Sequence, residues 1–392
     1  MDTASKPEQQ SDQKSVVVAG AGIIGLATAW RLVRRGWQVT VLDAEPVSGA
    51  SYAAAGMLAP VSEVVWDQPT LYPLMITSGE MYAEFAQAVA KESGENVGYL
   101  DSETFVCAGD AADRQTLTDL MSLQHQMGME VRRITASAAR RAEPALGPGC
   151  VGAVEIPGDH QIDPRLFTAA LLKILGEQVV RARVSEVLYD GDRAIGLRDT
   201  EGNDYLADEV LLAAGLNTGD ISGLPNTLEL PLRPVYGDVI RMNVPQRLQP
   251  LVTRTIRGIV QGRPVYIVPR ADGSIVLGAT SREDSMSGVS AEGVHQLLRD
   301  AYRLVPGILD CEITELTTRA RPGSPDDVPM IGRVAPHLTV STGYFRHGIL
   351  LAAVGSLIGA DVVCDNDVDQ DIATAVDPWR FSDARPRVQL RD

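Results

Sequence analysis

Basic residues are scarce in this chain of 392 residues, with 35 Lys plus Arg against 51 Asp plus Glu and a formal net charge of −16. Neutralising a phosphate backbone needs a basic surface, so no nucleic-acid partner is expected. Cysteines number four, Cys107, Cys150, Cys311 and Cys364, without C-x-x-C spacing, and the five histidines are equally dispersed. Neither a disulfide framework nor a metal site is expected from that pattern. No stretch approaches the ~18 uninterrupted apolar residues of a membrane span. Residues 1–14 are polar, lack the apolar segment of a secretory signal and read as a flexible tail. These absences point to a reducing, cytoplasmic setting.

What the chain does have is ordinary globular composition, 45% hydrophobic and 22% charged. Its length exceeds the roughly 250–300 residues at which a single core stops growing, so two domains are expected.

The most informative segment opens with Val16, Val17 and Val18, a β-branched run that reads as a buried parallel strand. It leads into Gly20-Ala21-Gly22-Ile23-Ile24-Gly25. Residues 26–35 follow with helical spacing of Leu26, Ala29, Trp30 and Val33, and Gly36 supplies a stop. A second strand over residues 38–42 ends at Asp43. In such a unit the first glycine permits a tight turn, the second lets the backbone approach a diphosphate, and the third lets helix and strand pack closely. The helix N-terminus offers free N–H groups to the phosphates. Asp43, eighteen residues after Gly25, stands where an acidic side chain accepts hydrogen bonds from a ribose. Strand, glycines, helix, strand and acidic end in this order predict a dinucleotide site. Residues 49–60 then form a run of small side chains, including Ser51, Ala54, Ala55, Gly56 and Met57, suited to a wall beside a flat ring.

On these residues the chain resembles the flavin-dependent D-amino acid oxidase superfamily, and within it the glycine oxidases of thiamine biosynthesis. The likeness runs from about residue 15 to about residue 366. Residues 17–25 resemble the family's FAD fingerprint, and residues 51–58 its S-x-A-A-x-G-M-L loop. Val184 resembles a valine beside the adenine, and residues 209–215, with Ala214 and Gly215, the strand that ends at the flavin. Residues 265–270 and 278–280 resemble a hairpin of the substrate domain. The closing blocks are 321–326, 331–333 and 342–351. Departures occur at Pro264, at Asn217-Thr218 and at Ser281-Arg282, which leave the shape of the substrate pocket open.

The resemblance implies an α/β fold: an FAD-binding Rossmann-like domain of the glutathione reductase type, with a second α+β domain built on an antiparallel sheet. The FAD-binding domain would take residues 15–75, 155–230 and 318–375. The substrate-binding domain would take 76–154 and 231–317, and 376–392 would form a polar tail. Periodic apolar spacing predicts helices over residues 81–100 and 113–129. Alternation over 238–242 and 265–268 suits a sheet with one solvated face, and Asp272-Gly273 predicts a hairpin turn. Asp326 and Asp327 read as a solvated turn.

The resemblance further implies a noncovalent FAD, since the nearest cysteine to Arg321, Cys311, lies ten residues away. Arg321 is the expected holder of a substrate carboxylate, because a guanidinium fork makes two parallel charge-assisted bonds. Tyr266 is expected to donate to the same carboxylate, and Arg346 to lie near the substrate and the reactive face of the flavin. His347, Gly348, Ile349 and Leu350 would meet the flavin as a helix begins at Gly348; His347 taken alone reads as a loop histidine. No side-chain general base is proposed. The implied activity is oxidation of glycine, sarcosine or small D-amino acids, with O2 reduced to H2O2 and the product handed to thiazole synthase. The alternative is a D-amino acid dehydrogenase with a non-oxygen acceptor. A homo-oligomer is expected.

Overall fold

The computed structural model describes residues 13–66 and 68–382, so the tail expected over 1–14 lies, apart from Gln13 and Lys14, outside the described residues. Strand Ser15–Ala19, helix Ile23–Arg34 and strand Gln38–Leu42 follow one another. Gly36 turns the chain between helix and second strand at φ 85°, a conformation that glycine adopts without a Cβ penalty. The two strands are parallel neighbours, and Ser15–Ala19 pairs on its other side with Glu209–Leu212. The complete sheet has six strands in the order Met330–Ala335, Leu338–Thr342, Glu209–Leu212, Ser15–Ala19, Gln38–Leu42 and Val179–Val180. All neighbours are parallel except the first pair.

Helices Ile23–Arg34, Leu71–Ser93, Pro164–Leu175 and Ala352–Val363 cover one face of this sheet. A three-stranded antiparallel sheet, Val184–Asp190, Arg193–Asp199 and Asp204–Leu206, covers the other. Helix Leu71–Ser93 begins ten residues before the expected start and ends at Gly94 in the left-handed region. Its stripe of Leu74, Met75, Tyr82, Phe85 and Val89 packs into the first core. Phe85 lies 5.5 Å from Trp30 and 5.1 Å from Phe167, centroid to centroid. Most of residues 76–93, expected with the substrate-binding segment, thus pack with the dinucleotide layer, while Ile76 packs against the cluster of Val106 and Val154. Helical periodicity shows that a face is buried, not what buries it.

The second sheet has eight strands in the order Glu312–Gly323, Arg233–Asn243, Ser274–Gly278, Arg263–Pro269, Thr255–Val260, Thr104–Ala108, Gly152–Ile156 and Arg132–Ile134. Its neighbours are antiparallel except Thr104–Ala108 beside Thr255–Val260. Strand alternation sends Ile240, Met242, Ile267 and Leu277 toward helix Ala291–Leu304. It sends Val239, Tyr266, Val268 and Val276 to the opposite face, against Ala55 and Met57. The expectation of one solvated face is corrected by this contact: the second face lies on the small-residue segment, and even Arg241 is half-buried there.

The C-terminal expectation also changes. Val376 and Trp379 are buried, and Trp379 joins the core of Val334 and Leu338. Arg380 pairs with Asp326 at 2.8 Å, while Asp327 pairs with Arg233 at 3.2 Å. Residues 325–327 do form a turn with Asp326 exposed, as expected, and the ion pairs anchor that turn in addition; residues 383–392 lie outside the described residues. Among the described residues no helix is long and apolar enough to cross a membrane.

Candidate active site

A cavity of about 860 Å³ begins at the C-terminal ends of the parallel strands, beside Gly20, Asp43, Ala214 and Thr342. It continues to the second sheet, where Gly237, Val239, Tyr266 and Arg321 line it. The carboxyl edge of an open parallel sheet is where such folds hold ligands, and the volume is near the top of the roughly 300–1,000 Å³ range of small-molecule sites.

Backbone demands explain the glycines at the first end. Gly20 has φ 104°, and a Cβ there would stand 2.4 Å from Ala213 O. A Cβ on Gly25 would stand 1.9 Å from Gly20 O, so Gly25 sets the helix against the strand and does not line the cavity. Gly22 caps helix Ile23–Arg34 without a side-chain bond, while Ser51 Oγ accepts from Ile23 N at 3.0 Å. Asp43 accepts from Ala21 N at 2.6 Å and from Glu45 N at 2.9 Å, bracing the glycine turn while it lines the cavity. Ile23, Ile24 and Val184 complete this end.

The small-residue wall is a helical turn, Ala50–Ala53, then Ala54, Ala55, Gly56 and Met57. Gly56 has φ 77°, and a Cβ there would meet Ile162 O at 1.9 Å. Three guanidinium groups hold the wall by its carbonyls. Arg241 Nη2 donates to Tyr52 O at 3.1 Å and Ala54 O at 3.3 Å, Arg165 Nε to Tyr52 O at 3.1 Å, and Arg270 Nη2 to Ala55 O at 2.5 Å. Arg165 is itself fixed by a two-pronged bond to Glu315 at 2.7 and 2.9 Å. Sequence reasoning found the wall but gave these arginines, which lie more than a hundred residues from it, no role in holding it.

At the second end the structure brings Arg321, Tyr266, Arg346 and His347 together. Tyr266 pairs with Gly278 across the strands, and a Cβ at 278 would fall 2.5 Å from the Tyr266 hydroxyl. Burial raises the pKa of that hydroxyl, so it stays a neutral donor. Arg321 Nη1 donates to Thr280 O at 3.2 Å. Two further residues, Glu63 and Arg257, were absent from the sequence expectations. Arg257 donates to Glu63, Arg346 Nε lies 3.4 Å from Glu63 Oε2, and His347 Nδ1 lies 3.6 Å from it. Burial would raise the Glu63 carboxyl, but Arg257 and Arg346 outweigh it and hold the group at about 2. Burial pushes His347 down to about 3, so the ring is neutral at pH 7. It accepts from Arg346 Nε through Nε2 at 3.3 Å, which assigns the proton to Nδ1.

His347 is therefore buried rather than on a solvated loop. Phe345–His347 form a single 3-10 turn, and the following helix starts at Ala352, not Gly348. Gly348, Ile349 and Leu350 line the cavity as the turn between them. Among the described residues no cysteine lines the cavity, and none form a metal-holding group. The glycine turn and helix N-terminus would hold a diphosphate, Val184 would border an adenine, and residues 54–57 and 346–350 would face a flavin. The residues present fit an FAD.

The model of the family described as FAD dependent oxidoreductase matches residues 15–361. A bifunctional protein ThiO/ThiG from Nostoc sp. is 30% identical over 371 residues. The match covers 91% of this chain and 53% of that protein, so the chain spans about half the length of such relatives. A glycine oxidase from Pseudomonas aeruginosa is 30% identical, with 89% and 94% of the two chains covered. The crystal structure of glycine oxidase from Geobacillus kaustophilus superposes with a TM-score of 0.85 at 28% identity, over 94% of this chain and 99% of that one. The chain belongs to the FAD dependent oxidoreductase family, and FAD is its cofactor.

Proposed function

We propose that the chain is an amino acid oxidase whose substrate is glycine, with sarcosine and small D-amino acids as further substrates. The reaction is glycine plus O2 plus water giving glyoxylate, ammonia and H2O2. The observation that carries this reading is the placing of Arg321 and Tyr266 at one end of the cavity, each over a glycine of the neighbouring strand. A guanidinium and a phenol hydroxyl there hold a carboxylate from two sides. Bound FAD supplies the two-electron acceptor for the substrate and the place where O2 is reduced.

The chain's own part is positional. Arg321 binds and orients the carboxylate, Tyr266 donates to it, and Arg346 borders the substrate. Glu63, held at about 2 by its arginines, is too weak a base to take a proton near neutrality. The amino acid therefore reacts with its amine already neutral, without a side-chain base. In this reading the six-stranded sheet and its helices bind FAD, and the eight-stranded sheet receives the substrate. Delivery of the glycine-derived imine to thiazole synthase is part of the proposal, supported by the likeness to a ThiO/ThiG protein. A cytoplasmic site is supported by four cysteines that are all free thiols.

The test is oxygen uptake and peroxide release by the purified holoprotein with glycine, sarcosine, D-alanine and D-proline. Stoichiometric H2O2 from glycine is the expected result. Dye reduction without oxygen uptake would make the enzyme a dehydrogenase and overturn the oxidase reading.

A further inference from the structure

The substrate end of the cavity carries more positive charge than one amino acid carboxylate can match. Arg321 uses Nη1 on Thr280 O and leaves Nε and Nη2 without an acceptor among the described residues. Arg346 is engaged only through Nε, by His347 and Glu63, so its Nη1 and Nη2 also lack an acceptor there. Arg257 is spent on Glu63. Three guanidinium groups thus face one carboxylate, Glu63, and a neutral imidazole. The next carboxylate, Asp238, is already paired with Arg282 at 3.2 Å. A substrate with a neutral amine and a single carboxylate leaves one guanidinium unmatched. Glu63 and Arg257 are largely covered, at 12% and 16% exposed, whereas Arg346 is 35% exposed, so its terminal nitrogens are open to a ligand in the cavity.

We propose that this end of the cavity is a receptor for two carboxylates: Arg321 takes the α-carboxylate, and Arg346 takes a second one on the same amino acid. Among the amino acids the oxidase accepts, the preferred class is then an amine carrying two carboxylates, with glycine and sarcosine as the weaker one-carboxylate cases. The inference rests on the amino acid oxidase reading above and narrows its substrate. Glu63 is a positioning residue, since by holding Nε it turns the two terminal nitrogens of Arg346 outward as a fork.

With iminodiacetate the chemistry balances as iminodiacetate plus O2 plus water giving glycine, glyoxylate and H2O2. One C–H bond beside nitrogen breaks, the N–H proton leaves, and a C=N bond forms. FAD, when bound, would accept the two electrons, and O2 is the final oxidant, reduced to H2O2. Water then adds to the C=N bond and the C–N bond breaks.

Two comparisons on the purified holoprotein test this. The first needs no turnover. Oxydiacetate and methoxyacetate, which have an ether oxygen where an amine would be, are titrated against the visible flavin spectrum. Oxydiacetate is expected to bind at least about tenfold tighter, the factor of an interaction near 1.4 kcal/mol. Arg346→Met should remove the difference, and Glu63→Gln should reduce it while the flavin stays bound. The second comparison sets iminodiacetate against sarcosine, and D-aspartate against D-alanine, by kcat/KM. A preference for iminodiacetate places the second carboxylate on the nitrogen substituent, and a preference for D-aspartate places it on the side chain. Equal binding of the two ethers, with sarcosine or glycine still oxidised, would overturn the two-carboxylate receptor and leave the oxidase reading standing. Flavin left unreduced by every amino acid under anaerobic conditions would instead remove the reading beneath it.

Discussion

The guanidinium of Arg321 crosses the face of Gly237, so closely that a Cβ at residue 237 would stand 2.2 Å from Nη2 and 2.4 Å from Cζ. The strands that carry them pair with Val235 opposite Arg321 and Gly237 opposite Arg319, so the side chain runs diagonally over the gap that glycine leaves. Gly237 is therefore the floor on which the proposed carboxylate holder rests.

Gly237→Ala is expected to move the fork without unfolding the protein, because the group displaced is the far end of a flexible side chain. A displacement near 1 Å in a positioning group costs on the order of a hundredfold in catalysis. The expected outcome is a fall of that order in kcat/KM for glycine, borne mostly by KM, with the flavin spectrum and Tm nearly unchanged. Arg321→Met removes the fork altogether and should lose about 2–5 kcal/mol in binding. Steady-state kinetics with glycine check both, and an unchanged KM in either variant would show that Arg321 does not hold the carboxylate.

Gly25→Ala makes the contrasting case. The new methyl group would meet backbone, Gly20 O, at 1.9 Å, and neither the strand nor the helix can yield cheaply. Overpacking of this kind costs about 1–3 kcal/mol or more. The helix N-terminus that would face the diphosphate must shift, so FAD affinity and Tm should fall together. Titration of apoprotein with FAD, beside thermal unfolding, measures both.

The first βαβ unit was legible because all its signals are contiguous: β-branched run, glycines, helical spacing and acidic end sit within residues 16–43. Arg321, Tyr266 and Arg346 became legible through motif likeness, and the structure sets them in one cavity. Glu63 and Arg257 were not legible, since 194 residues separate two side chains whose meaning lies in their contact. Helix Leu71–Ser93 was found but given the wrong neighbour, because an apolar stripe does not name its partner. The polar composition after Asp377 hid Trp379, whose burial is decided by one side chain rather than by average hydropathy.

Trp379 supports a stability prediction of its own. It is 8% exposed and packs with Val334 and Leu338 on the sheet face away from the helices. Trp379→Ala should cost about 3–5 kcal/mol by lost burial and the cavity left behind. FAD affinity at saturating cofactor should change little, because Trp379 does not line the cavity. Denaturant unfolding of the variant, read against flavin content, checks the separation.

His347 gives a pH dependence whose sign is set by burial. Its folded pKa is about 3 against an ordinary 6.5, so between those values the unfolded chain takes up a proton that the folded chain refuses. Stability must then fall as pH falls from about 6.5 toward 3. Glu63, held at about 2 against an ordinary 4.5, acts in the same direction but only below about 4.5. Asp159 acts oppositely: burial raises it to about 6, so its contribution is present at low pH and lost as pH rises through 6. The measurement is therefore a difference, Tm of the parent apoprotein against His347→Gln from pH 7 to 4.5, in which the Asp159 contribution cancels. The variant should lose less stability on acidification than the parent. Parallel curves would mean that His347 titrates in the folded protein as it does in the unfolded chain, and that Arg346 has no neutral imidazole to lean on.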